Sequence, residues 1–486
     1  MTLESPISIE SKPGSTPNQK CGQRFSNEGK ILVSKKAWAL RIATLTGISL
    51  VIVYTINEGI KLGDALVAYS TLTPLHTFLT LALAWIFYRN PPKGKVGHDL
   101  VSVIVPVYNQ QSMIKIVIDA IRRSTYSNIE VIVVNDGSND STKEILDNLV
   151  KKYPNVKVVH KEKNEGKRKA VATGFYASKG DYVVLIDSDS IVDEHAITEF
   201  MKTFNAYPEI GAAVAHAKVW NAEKNILTKC QDAWYDFSFN IGKSAESIFG
   251  CVTCCSGCLS AYRRKAVDNF IPYWAEAKIR MSDDRQLTSY VIAPPAAKTE
   301  LRLIFGDKFW VPISQKLMES MAQYDDSEDR GLTAQTLVNW KSVYVASAIV
   351  YTDVPEKWKG FVKQQVRWKK GYIRTNFFVN SFFWRKNPII ALKYYSEFMT
   401  TFTSPIISLI VLIYAPFILQ HFMLTATILG SSLLVGLAQG LDYKFRDRKA
   451  KNWMYKPVMD LITFHVISWL LFPALWNYRK NEWLTR

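Results

Sequence analysis

Two aspartates, Asp187 and Asp189, close the run Asp181-Tyr182-Val183-Val184-Leu185-Ile186. An apolar, β-branched run of this kind reads as a buried parallel strand. Residues at the carboxyl end of such a strand leave the sheet and face the crevice where ligands bind. Two carboxylates this close repel one another unless something neutralises them, and a divalent cation with oxygen ligands does so well. The pair is therefore read as holding a metal ion that bridges a nucleotide diphosphate. The plainer alternative is a solvated Asp-Ser turn, and the surroundings must decide between them.

Those surroundings alternate strands with helices. Val101 to Pro106, Ile129 to Val134 and Val156 to His160 read as strands, with the Asp187 strand as a fourth and helical stretches between. This rhythm predicts an α/β domain with a parallel sheet and ligands at the strand ends. Asp136, at the end of the second strand, can accept hydrogen bonds from a nucleobase. Lys167 and Arg168 can bind phosphates, one as a point charge and the other through a bidentate fork.

Val105-Pro106-Val107-Tyr108-Asn109, Asn135-Asp136-Gly137-Ser138, Gly166-Lys167-Arg168 and Asp187-Ser188-Asp189 follow one another as in the inverting nucleotide-sugar glycosyltransferases, which this chain resembles. The resemblance implies a glycosyltransferase A-type domain, a Rossmann-like mixed sheet. In it Pro106, Tyr108 and Asp136 would hold the nucleotide, Lys167 and Arg168 the base and diphosphate, and Asp187 and Asp189 Mg2+ or Mn2+. Gln110 stands where the family usually has an acid.

Further along, Phe249-Gly250-Cys251-Val252-Thr253-Cys254-Cys255-Ser256-Gly257-Cys258 resembles the acceptor-side segment of hyaluronan synthases, with Cys258 in place of their proline. It is read as a strand whose cysteines line an acceptor pocket, with Cys255, Ser256 and Gly257 touching the acceptor. Zinc is the weaker reading of the C-x2-C-C-x2-C spacing, because a strand alternates its faces and would not converge four sulfurs. The family's acidic-acidic-Arg motif, whose last acid is the general base, occurs twice: Ser282-Asp283-Asp284-Arg285 and Ser327-Glu328-Asp329-Arg330. The downstream register favours Asp329, with Asp284 as its rival. Gln364-x-x-Arg367-Trp368 is similar to the mark of processive synthases. There Arg367 would stabilise the departing diphosphate and Trp368 would stack on the acceptor sugar.

Composition places these motifs in a larger frame. The chain has 486 residues, 48% hydrophobic and 13% aromatic, yet 21% are charged, which predicts a soluble domain joined to membrane helices. A net charge of +17 points to anionic lipid or phosphate. No basic run interleaved with aromatics indicates nucleic acid, and six cysteines, four of them clustered, do not make an extracellular disulfide framework. Residues 1–30 read as disordered and lack a signal-peptide core. Residues 31–95 read as a membrane hairpin whose basic flanks place both outer ends in the cytoplasm. A glycosyltransferase domain at 98–355, with an insertion at about 286–326, comes next. Interfacial helices at 356–400, a second hairpin at 401–442, and an in-plane helix with a gating tail at 443–486 complete the chain. The tail residues Trp483, Thr485 and Arg486 resemble a family gate, with Leu484 replacing glycine.

The sequence thus predicts a monomeric, multi-pass plasma-membrane enzyme with a cytoplasmic catalytic domain. Its partners would be UDP-GlcNAc, UDP-GlcA, the growing polysaccharide and the bilayer, and its product hyaluronan. A chitin-type or cellulose-type synthase shares nearly every motif. A non-processive lipid-linked transferase would not need the Gln364-Arg367-Trp368 set, and a silent membrane scaffold would not need the intact acids.

Overall fold

A computed structural model of the chain describes residues 23, 25–26, 29–91, 94–276, 282–305 and 339–477, the side chains of 302–305 excepted. Its centre is an eight-stranded sheet: β1 (Val101–Val107), β2 (Ile129–Asn135), β3 (Val156–His160), β4 (Tyr182–Leu185), β5 (Ser190–Val192), β6 (Ile210–Val219), β7 (Ser260–Arg263) and β8 (Lys341–Thr352). The strands lie in the order β3-β2-β1-β4-β7-β6-β8-β5. The first half is parallel, as expected. The second half is mixed, because β7 runs antiparallel to both β4 and β6, and β5 antiparallel to β8. All seven residues of β1 are buried, which is why its sequence is a continuous apolar run rather than an alternating one.

The cysteine segment is not the strand the sequence predicts. Only Cys251 bridges a neighbour, Ser342, and 252–259 is irregular before β7 begins. The loop is held instead by side chains: Thr253 N–H donates to Glu246 at 2.9 Å and Cys255 N–H to Thr288 Oγ1 at 2.9 Å. The stretch read as an insertion opens as part of the core. Leu287, Tyr290 and Val291, on the helix Asp283–Ile292, are fully buried in the main cluster, while 306–338 lie outside the described residues.

Among the described residues four helices are long and apolar enough to cross a membrane: Lys35–Leu62, Ala65–Phe87, Pro388–Ile418 and Phe422–Arg446. The third starts well before the expected boundary at 401. Asn387 caps it by accepting from Ile389 N–H, and Pro388 opens it, a position where a missing N–H costs nothing. Helices Trp453–His465 and Ile467–Trp476 meet at 42°. Met459 and Ile467 share a small core with Leu227 and Cys230 of the sheet domain and Phe361 of the helix Trp358–Phe383.

The long apolar helices are fixed to the sheet domain by a buried ionic chain. Arg41 Nε donates to Asp442 Oδ1 at 2.7 Å, and Arg446 Nε and Trp85 Nε1 donate to Asp442 Oδ2 at 2.7 and 3.1 Å. Arg446 then forks onto both oxygens of Asp236. Asp236 also accepts from Asn240, whose own carbonyl accepts from the Tyr344 hydroxyl at 2.8 Å. Every side chain in this chain is buried, so each charge depends on its partner. Asp442→Ala leaves Arg41 and Arg446 without it and is expected to cost about 3–5 kcal/mol, read as a lowered thermal midpoint of the detergent-solubilised chain. A midpoint equal to the parent's would show that the chain is not what joins the two parts.

Candidate functional site

β1 has β2 on one side and β4 on the other, so the strand order reverses there. The crevice at such a reversal, outside the carboxyl ends of the strands, is where open α/β sheets bind ligands. Pro106, near the end of β1, lines a small recess there together with Lys167, Asp187, Gly257 and Asp284. Tyr108 is half-buried just beyond the strand. The loops after β1 and β2 are tied together: Asn109 N–H donates to Ser138 Oγ at 3.0 Å, and Asn139 N–H donates to Asn109 Oδ1 at 2.8 Å. Gly137 is required at this junction. Its φ is +70°, and a Cβ would lie 2.6 Å from the backbone of Lys163 and Asn164.

Asp136, expected to meet a nucleobase, is buried and accepts from Lys161 Nζ at 2.9 Å, Glu165 N–H at 3.1 Å and Gly166 N–H at 2.8 Å. It thereby fixes the start of the helix Lys167–Tyr176, which carries the two basic residues. These then diverge. Lys167 Nζ donates to Asp187, and burial, which alone would lower the ammonium's pKa, is outweighed by that carboxylate, so its pKa is raised. Arg168 is buried instead against Asp283, with NH1 donating to the Trp274 carbonyl at 3.2 Å and its guanidinium 5.3 Å from the Trp274 ring centre. It supports the acidic helix rather than standing open to a diphosphate.

Asp187, Asp189, Asp283, Asp284 and Asp353 all line one cavity of about 640 Å³. Asp284 accepts from Arg285 N–H at 2.8 Å and Gly257 N–H at 3.3 Å. Burial, reinforced by the charge of Asp189, raises the pKa of Asp353. Asp187 and Asp189 offer hard carboxylate oxygens. Among the described residues no three His, Cys, Asp or Glu side chains form a cage of their own. That donor set suits an ion of the Mg2+ kind, which is held by one or two carboxylates and completed by substrate phosphate oxygens. Gly257 allows the loop to close on this point, for a Cβ there would lie 2.8 Å from Lys167 Nζ and 3.3 Å from Asp187.

The far wall comes from the helix Trp358–Phe383, which presents Gln364, Arg367 and Trp368 to the same cavity. Trp368 packs against Trp234 with ring centres 5.9 Å apart and 32° between planes. Trp234 and Tyr235 also line the cavity, and nothing in their local sequence marks them, since their helix Ile226–Asp236 is distant in sequence from the motif. Ser256 and Gly257 face the cavity, whereas Cys255 is fully buried in the main core. Cys254 and Cys258 line the cavity as thiols, their pKa values pushed up by burial to about 11 and about 12. Among the described residues, the acidic-acidic-Arg copy that the structure brings into the site is the one carrying Asp284. Asp329 and the gate residues Trp483, Thr485 and Arg486 lie outside the described residues.

Residues 102–270 match the family described as Glycosyl transferase family 2. The hyaluronan synthase of Streptococcus pyogenes is 27% identical over 420 residues, which is 85% of this chain and 89% of that protein. An N-acetylglucosaminyltransferase of Neorhizobium galegae is 24% identical over 396 residues, 79% of this chain and 80% of that protein. Among solved structures, the mannosyltransferase PcManGT from Pyrobaculum calidifontis, in complex with GDP-Man and Mn2+, aligns with a TM-score of 0.50 at 16% identity. That match covers 85% of this chain and 98% of the other, and it shows a shared fold. The mixed sheet and the family match together define a glycosyltransferase A-type domain flanked by apolar helices.

Asp284→Asn should lower sugar transfer by about 100-fold or more, the usual scale for loss of a positioned base, while the purified protein keeps its thermal midpoint. The same change at Asp329 should leave most of the rate. A reversed ranking of the two variants would move the base to the downstream copy.

Proposed function

We propose that this chain, a family 2 glycosyltransferase with membrane-spanning helices, polymerises sugars from UDP-sugar donors and moves the product into its own membrane helices. Hyaluronan, from UDP-GlcNAc and UDP-GlcA, is the product we favour. One observation carries the reading: a single cavity joins the acids at the sheet end, the Gln364-Arg367-Trp368 face, and residues His76, Lys393, Glu397 and Thr401 of the second and third apolar helices. A transferase that released each product into water would not need its reaction centre to open between membrane helices.

In the proposed reaction Pro106 and Tyr108 border the nucleotide, and Asp136 sets the loop that carries Lys167. Asp187 and Asp189 would hold Mg2+ or Mn2+, which supplies charge compensation to the diphosphate when bound. Asp284 takes the proton of the acceptor hydroxyl as that oxygen attacks the anomeric carbon from the face opposite the UDP, so the sugar inverts. Arg367 stabilises the negative charge that develops on the departing diphosphate. Trp368, braced by Trp234, gives the acceptor sugar an aromatic platform. The catalytic domain would lie in the cytoplasm, where the donors are. The bend at 42° and the shared core with Cys230 and Phe361 support an in-plane helix at 458–476 rather than a fifth crossing.

The rhizobial relative favours a second reading, an N-acetylglucosamine polymer made from one donor. Cellulose-type synthesis, lipid-linked transfer and a silent scaffold have no comparable support. The purified chain with Mn2+ should release UDP and build a high-molecular-weight polymer only when UDP-GlcNAc and UDP-GlcA are both present, and EDTA should stop it. Polymer from UDP-GlcNAc alone would establish the second reading, and no UDP release from any donor would remove the enzyme assignment.

A further inference from the structure

The cavity continues past Asp284, and its inner wall includes Lys243, Arg285 and Gln365 before it reaches Lys393 and Glu397. The charges along this wall are not all held in contact pairs. Lys393 donates to Glu397 at 2.6 Å and to Glu246 at 3.3 Å, so one cation already serves both carboxylates. Lys243 and Arg285 are held in another way. Lys243 Nζ donates to the Cys254 carbonyl at 2.5 Å and lies 5.0 Å from the Phe239 ring centre. Arg285 NH1 donates to Thr253 Oγ1 at 2.9 Å, and its guanidinium lies 4.9 Å from the Tyr372 ring centre. Glu246 reaches Arg285 only through the Thr253 hydroxyl. Among the described residues neither cation forms an ion pair with a carboxylate.

Two cations from different elements thus converge on consecutive residues of one loop, each supported by a neutral oxygen and an aromatic face. Aromatic faces and carbonyls make a buried cation tolerable, and Glu246 and Glu397 act on Arg285 through space without bonding to it. Gln365 adds a neutral donor. It is 4% exposed, and its Nε2 has no hydrogen-bond partner among the described residues. Recognition of a neutral sugar needs hydroxyl partners and an apolar platform, not two ammonium or guanidinium groups. A sugar carboxylate entering between them would take charge-assisted bonds from the guanidinium and the ammonium, with Gln365 on the same cavity wall.

We propose that Lys243, Arg285 and Gln365 form a carboxylate subsite that takes the uronate unit of the nascent chain, beside the acceptor position at Asp284. This inference rests on the polymerase reading and deepens it, because it makes an acidic sugar a structural requirement of the acceptor path. Neutral synthases with the same catalytic motifs would have no use for the subsite.

The test is binding of two tetrasaccharides to the purified full-length chain, one alternating GlcNAc with GlcA and the other made of GlcNAc alone. The parent should bind the uronate tetrasaccharide more tightly. Lys243→Gln should reduce that preference about tenfold, the scale of one charge-assisted hydrogen bond, and Lys243→Arg should restore it. Arg285→Gln should act in the same direction. Equal binding of the two sugars by the parent would overturn the subsite, as would a Lys243→Gln change that weakens both sugars alike. UDP release measured on the same preparation separates the outcomes: turnover without uronate preference sinks the subsite alone, while absence of turnover sinks the polymerase reading beneath it.

Discussion

Five carboxylates, Asp187, Asp189, Asp283, Asp284 and Asp353, border one cavity, and the architecture around them answers that concentration of negative charge. Even at an effective dielectric near 20, two unit charges about 4 Å apart interact by about 4 kcal/mol. The protein meets this cost separately at each position. Lys167 takes Asp187, Arg168 takes Asp283, and two backbone N–H groups take Asp284. Burial, with the charge of Asp189 added to it, raises the pKa of Asp353. The helix Lys167–Tyr176 and its anchor through Asp136 exist in this form because both cations must reach different acids from adjacent positions.

Much of this was legible in the chain. A buried strand that breaks off in two acids announces a ligand crevice, since each half of that pattern restricts the other. The apolar runs of the membrane helices and the Gln364-Arg367-Trp368 set are equally direct, because spacing on one helix fixes which side chains share a face. Arg168 was not legible. A basic residue beside a phosphate-binding position looks the same in sequence whether it meets phosphate or, as here, the acid Asp283 more than a hundred residues away. Cys255 was misplaced because the segment was read as an alternating strand, whereas side-chain hydrogen bonds to Glu246 and Thr288 shape it as a loop. Asp284 and Asp329 sit in two near-identical local patterns, so the sequence alone cannot rank them, and only the first copy lies among the described residues. Leu287 and Tyr290, buried in the core a few residues beyond Asp284, fix the helix that carries it.

The polymerase reading also requires the reaction centre to stay aligned with whatever receives the product. Here the alignment is chemical rather than a matter of apolar contact alone. The route Arg41–Asp442–Arg446–Asp236–Asn240–Tyr344 runs from the first and fourth apolar helices to β8, and Tyr88, just past the end of the second, adds a bond by donating to the Tyr344 carbonyl at 2.9 Å. Hydrophobic faces slide at small cost, but a buried guanidinium that loses its carboxylate leaves a charge in a low-dielectric setting. The sheet and the helices are therefore held in one register.

That register gives meaning to the polar groups deeper in the cavity. Lys393 and Glu397 belong to an apolar helix long enough to span a bilayer, and His76 to another. Ionisable groups at such positions are expensive unless they face one another or a hydrated space. Here Lys393 and Glu397 pair, His76 bonds to Ser396, and the cavity that begins at the DxD acids runs past all of them. A helix that served only as an anchor would bury leucine and valine at these places. Polar side chains on the inner face, with Ile406, Leu409 and Ile413 of the same helix exposed at its surface, divide one helix between a lipid side and a wet side. On the polymerase reading, the same division would let a hydrophilic chain leave the acids at the sheet end without crossing hydrocarbon.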